Sequence, residues 1–153
     1  MDSFMRCVSR TARCASLYRG EKLEKIGLNG GQHTYILNIC RNPGVSQEQL
    51  ARLIYINKSN VARQLALLEQ NGFVTRVPDE TDRRVLRVYP TKKALDACPV
   101  VQKVLADWQE YVMDGFTPGE REQLTSLMQR VMDRAAAYAE DRLTPGQEGG
   151  DRK

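Results

Sequence analysis

The sequence predicts a mainly α-helical chain with a small β-hairpin wing: a winged helix-turn-helix with N- and C-terminal helices outside it. Three consecutive features between Ser46 and Thr91 predict it: a capped helix, a second capped helix and a charged hairpin.

A first helix is expected over about residues 4–25, where Gly20 is the single glycine and Val8, Ala12, Ala15 and Leu17 stand among charged neighbours. A short helix begins at Ser46. Ser46 and Gln49 are three apart before Leu50, Ala51 and Leu53, so each side chain can satisfy the other's free backbone N–H in a capping box. After Tyr55 and Ile56, Asn57 is a favoured N-cap for a second helix, which runs to Gly72, a residue suited to positive φ at a helix end.

On this second helix Val61, Leu65 and Leu68 follow the i, i+4, i+7 spacing of a buried stripe, leaving Ser59, Asn60, Arg63, Ala66 and Gln70 on the outer side. Asn can pair with an adenine edge, Arg with a guanine edge and Ser with either, so the first two turns suit a major groove. An ordinary solvated helix face has the same composition, and the helix alone leaves both readings open.

The hairpin follows. Phe73–Val77 and Val85–Tyr89 are β-prone and alternating, and Pro78-Asp79-Glu80-Thr81-Asp82-Arg83-Arg84 separates them. Arginines at such a tip project beyond the core, where the negative potential of a narrow A·T-rich minor groove attracts a cation. Asp82, two residues before Arg84, can fix the guanidinium in one rotamer by a charge-assisted pair; the same pair would also serve as a simple surface turn bridge.

Beyond the hairpin, Thr91 caps a long helix through Met113 with Leu95, Val101, Leu105, Trp108 and Val112 as its apolar residues and Pro99 as an expected kink. Thr117-Pro118-Gly119-Glu120 is a strong helix start, with N-cap, proline at N1 and Glu at N3. Leu124, Leu127, Met128, Val131, Ala135 and Tyr138 then form one stripe. Such a stripe can cover its own domain's core. Because the terminal helices lie outside the compact winged part, their apolar faces are also well placed to bury one another in a homodimer. The Gly-rich, charged stretch 144–153 is expected to be a disordered tail.

At 153 residues and 41% hydrophobic content, one domain with a real core is expected. The net charge is +4, and its distribution matters more: residues 1–93 hold sixteen of the 23 basic side chains, residues 94–153 eleven of the 19 acidic ones. A basic surface around the proposed reading head favours phosphate. Four cysteines, Cys7, Cys14, Cys40 and Cys98, and the lone His33 show no metal-ligand spacing, so neither metal nor cofactor is expected. No apolar run has the length of a membrane span or a signal peptide, and a cytoplasmic protein is expected. An enzyme is disfavoured by the lack of a phosphate-binding glycine loop, a nucleophile elbow or a paired acidic motif.

The assembled pieces resemble the MarR family of bacterial transcription regulators over about residues 4–142. Gly44-Val45-Ser46-Gln47-Glu48-Gln49-Leu50-Ala51 is similar to that family's first motif helix, and Asn57–Leu65 with Leu68-Glu69-Gln70-Asn71-Gly72-Phe73-Val74 to its recognition helix entering the wing. Asp82-Arg83-Arg84 and Thr91 resemble its wing signature and the start of the next helix. Gly27-Leu28 before Gln32–Cys40 resembles the opening of its second helix. Two departures stand out: Pro90 replaces a leucine, and Asn29-Gly30-Gly31 replaces a threonine-containing cap.

The resemblance implies a single unit over residues 1–143, with the winged part at about 28–91 and dimerisation helices at about 4–25 and 92–142. It implies a two-fold dimer on a pseudo-palindromic double-stranded operator. Ser59, Asn60, Arg63 and Gln64 would contact bases; Ser46, Gln47, Lys58, Arg76 and Arg87 would contact phosphates; Asp82, Arg83 and Arg84 would serve the minor groove. Leu124, Leu127, Met128, Val131 and Ala135 would form the dimer interface. It also implies repression relieved by a small phenolic, aromatic or lipophilic effector, for which Arg13, Cys14, Tyr18, His33 and Tyr35 are pocket candidates. The alternatives are a cysteine-based redox sensor and a winged-helix module that binds protein. For Cys7 and Cys14, a buried inert thiol is the expectation.

Overall fold

The computed structural model describes residues 1–143; the expected tail at 144–153 lies outside them. Two compact units are present, Met1–Asp114 and a second that begins at Gly115. In the first, α1 (Phe4–Leu23) leads through a short 3-10 turn (Glu24–Ile26) to α2 (His33–Arg41), β1 (Val45–Ser46), α3 (Gln47–Ile54) and α4 (Lys58–Gln70). Then come β2 (Val74–Pro78), β3 (Leu86–Pro90) and α5 (Lys92–Val112); the second unit holds α6 (Pro118–Leu143).

The capping chemistry works as the residue types demand. Ser46 Oγ accepts from the Gln49 N–H at 3.0 Å while Gln49 Oε1 accepts from the Ser46 N–H at 3.0 Å. Asn57 caps α4 by accepting from the Asn60 N–H at 2.9 Å, and Gly72 takes φ +80° just past its end. The turn between α3 and α4 is made by Tyr55 at φ +54°, the one described non-glycine residue with positive φ. At α6, Thr117 Oγ1 accepts from the Glu120 N–H and Glu120 Oε2 from the Thr117 N–H, a second capping box.

The sheet is antiparallel with order β1-β3-β2. Strand β1 escapes a pattern reading because it is two residues long and directly precedes a helix; Val45 lies opposite Val88 and Ser46 opposite Arg87. Val61, Leu65 and Leu68 are fully buried, as their spacing predicts, against a core that includes Ile36, Ile39, Leu50, Phe73, Val74 and Val88.

Two helices differ from expectation. On α5 the buried residues are Ala94, Ala97, Val101 and Val104, while Leu95 and Val112 are exposed: small side chains let α5 lie close to the core, and the larger leucine sits on the far side. On α1 only Ala15 and Leu23 are buried, and Leu17 is exposed. Cys7 and Cys14 are therefore exposed rather than buried, since both stand about a quarter-turn from Ala15 at 100° per residue. The half-buried Cys40 of α2 meets Cys98 of α5; burial first, then that neighbouring thiol, pushes the Cys40 pKa up to about 12.

Candidate nucleic-acid interface

Ser59 and Arg63 are exposed on α4 and Asn60 is half-buried between them and the core stripe. Arg63 Nη2 donates to Asn60 Oδ1, so the two base-reading candidates are in contact on the outer face of α4. Lys58, at the start of the helix, is 70% exposed and bonds Glu48 Oε1 at 3.1 Å; the same carboxylate takes Arg52 at 3.2 Å. These cations hold the Glu48 carboxyl below its ordinary pKa. Sequence reasoning missed Glu48.

The wing tip is organised by Asp79, also missed. Its Oδ2 accepts from the Thr81 hydroxyl at 2.7 Å and from the Thr81 and Asp82 N–H groups, and its Oδ1 accepts from Arg87 Nε at 2.9 Å. The Thr81 hydroxyl and Arg87 bonds, followed by those backbone donors, hold its pKa far below the usual carboxylate range. The signal was present as a Pro-Asp-x-Thr turn, which this side chain commonly organises. Beyond it, Arg84 is 91% exposed and paired with Asp82 through two contacts, Nε to Oδ1 at 3.1 Å and Nη2 to Oδ2 at 3.2 Å. Arg83 is exposed beside it.

The phosphate candidates divide into two groups. Ser46, Gln47, Lys58 and Arg84 line one cleft of about 170 Å³ between the helix starts and the wing. Within it Ser46 is 5% exposed and its hydroxyl already caps α3. Arg76 and Arg87 are instead held from inside. Arg76 Nη2 bonds Glu69 at 3.2 Å and Nη1 bonds Gln47 at 3.0 Å, while Arg87 adds the Gly44 carbonyl at 3.2 Å to Asp79. No local pattern connects Glu69 to Arg76, because the two meet only once the hairpin folds back on α4. Gln64 is half-buried, and its Oε1 accepts from Gln32 Nε2 at 3.2 Å.

The effector candidates lie on α1 and α2. Tyr18 packs on Trp108 with ring centroids 5.1 Å apart and lines a cleft of about 510 Å³ with α5. Arg13 and Cys14 are exposed on α1. The Tyr35 hydroxyl is buried with no hydrogen-bond partner among the described residues, and His33 Nδ1 is buried without a bond of good geometry. Burial, then the Arg19 charge, lower the His33 pKa against the opposing influence of the Gly30 backbone. No group of metal-ligating side chains occurs among the described residues, and none of their helices is long and apolar enough to cross a membrane.

A three-stranded wing beside two short helices, with an uncrowded polar face on the second, defines a winged helix-turn-helix DNA-binding protein. The MarR family model matches residues 26–85. The chain is 30% identical over 131 residues to the HTH-type transcriptional regulator YybA of Bacillus subtilis (strain 168), covering 86% of this chain and 87% of that one. A MarR transcriptional regulator from Methanosarcina mazei Go1 has a TM-score of 0.83 at 28% identity, over 87% of this chain and 96% of that one. A MarR family regulator from Listeria monocytogenes, complexed with 26mer DNA, shares the fold at a TM-score of 0.82 and 24% identity, over 100% of this chain and 99% of that one. The chain belongs to the MarR family: it is a transcriptional regulator and not an enzyme.

Proposed function

We propose that the chain is a cytoplasmic homodimeric repressor that binds a pseudo-palindromic operator and is released by a small aromatic or lipophilic effector. Ser59, Asn60 and Arg63 read base edges, and Arg84, steadied by Asp82 with Arg83 alongside, enters the minor groove. Lys58 and Gln47 reach phosphate from the cleft they share with Arg84. Ser46, Arg76 and Arg87 act at one remove, by holding the helix starts and the wing that make the contacts.

The observation that carries this reading is the shared cleft, which joins Lys58 at the head of α4 to Arg84 on the wing. The dimer is supported by α6, where Leu124, Leu127, Met128 and Val131 are 39–47% exposed in the single chain and Ala135 continues the stripe. The effector is supported by the Tyr35 hydroxyl, a buried polar group without a partner among the described residues, where such groups ordinarily find one.

The test is a selection of bound genomic fragments followed by salt titration of the selected duplex. Enrichment of a two-fold related sequence, with affinity falling steeply as salt rises, is the expected result. No enrichment and salt-insensitive binding would leave a protein-docking module instead. Addition of phenolic and aromatic acids to the bound complex should release it if the effector reading holds.

A further inference from the structure

One buried side chain joins the loop before α2 to the recognition helix. Gln32 is 4% exposed, and its Oε1 accepts from the Asn29 N–H at 3.0 Å. That bond fixes which end of its amide faces α4, so Nε2 donates to Gln64 Oε1 at 3.2 Å. On α4, Gln64 immediately precedes the fully buried Leu65 and lies angularly nearer the Val61-Leu65-Leu68 stripe than to the exposed Arg63.

The loop itself is anchored to α1. Arg19 Nε donates to the Gly30 carbonyl at 2.9 Å, and Gly31 N–H is taken by Asn29 Oδ1 at 3.0 Å. Gly30 touches α1 so closely that a Cβ there would come within 2.3 Å of the Ser16 carbonyl oxygen. Successive contacts therefore run from α1 through Gly30, Asn29 and Gln32 to the recognition helix.

We infer that Gln32 is a positioning residue for operator recognition: through Gln64 it fixes the rotation of α4 relative to α1, and Gln64 serves this joint rather than a base pair. The inference rests on the DNA-reading role proposed above. A glutamine that reads adenine uses its oxygen and its nitrogen together, and here the oxygen is engaged inside the protein.

The test uses the full chain as Gln32→Met, Gln64→Met and the double variant, with the selected operator, its single base-pair variants and an unrelated duplex at fixed salt. Gln64→Met should weaken operator binding by about tenfold, the effect of one lost hydrogen bond, and Gln32→Met by at least as much, since it also removes the acceptor of the Asn29 N–H. Binding to the unrelated duplex and the salt slope should hold, and the double variant should lose no more than Gln32→Met alone, the signature of a coupled pair. The inference is overturned if Gln32→Met binds the operator as wild type does, or if the two losses add. It is equally overturned if Gln64→Met alters preference at one base pair that Gln32→Met leaves alone, which would make Gln64 a direct reader. Equal losses on operator and unrelated duplex, with a lowered melting temperature, would reduce the pair to packing. A wild-type chain without any operator preference would instead remove the DNA-reading role itself.

Discussion

Asp82 holds Arg84 along the Nε–Nη2 edge of its guanidinium, although that arginine is 91% exposed. A bidentate pair at an exposed site adds little to stability and much to geometry, since it selects one rotamer from many. Arg84→Ala should reduce preference for A·T-rich flanks and lower the salt slope by about one for each wing engaged. Asp82→Asn should reduce the same preference without lowering the slope, because the cation remains but is no longer aimed. Competition between duplexes differing only in their flanks measures both; an unaltered preference in Asp82→Asn makes the pair a surface turn bridge.

Asn60 and Arg63 share one contact and should act together on the operator. Replacing either with alanine should relax discrimination at particular base pairs by about 1–3 kcal/mol, the size of a good bidentate contact. Binding measured across single base-pair variants of the operator checks this. A uniform loss on every sequence would move both residues to phosphate contact.

His33 gives the fold a pH dependence of definite sign. Burial and Arg19 lower its folded pKa below the ordinary 6.5, so the unfolded chain takes up a proton first as pH falls. Stability contributed by the neutral imidazole is complete above that value and declines as pH drops below it. Thermal melting between pH 7.5 and about pH 5 should show the decline, and His33→Gln should flatten it. A pH-independent melting temperature in the wild type contradicts the assignment.

Leu127 lies mid-stripe on α6 and is 47% exposed in the single chain. Under the proposed dimer, Leu127→Glu would bury an unpaired charge against the partner's apolar surface, giving monomer or unfolded protein and abolishing operator binding. Sedimentation decides it. A wild-type monomer at micromolar concentration, or a variant that remains dimeric and binds normally, defeats the dimer.

What the sequence made legible was local chemistry. The caps at Ser46, Asn57 and Thr117 and the Asp82–Arg84 pair each lie within three residues, so residue type and spacing suffice to find them. Burial on α5 was misread because close helix packing favours Ala94 and Ala97, whose small side chains carry a weaker signal than Leu95. The partners of Arg76 and Arg87 were hidden because Glu69 is reached only when β2 folds back on α4, and Asp79 only across the folded hairpin. Gln32 and Gln64, 32 residues apart, were hidden because only the packing of the α2 start against α4 brings them together.

Ser46 is at once a strand residue facing Arg87 of the wing and the cap of α3. The wing, proposed for the minor groove, is thus joined at one residue to α3, which packs beside the proposed recognition helix α4. Under that proposal the protein would act as a caliper of set opening. On the proposed operator, a mismatch between that opening and the local pitch of the duplex would be taken up by twisting the DNA, so that base pairs no side chain touches would be selected through their stiffness.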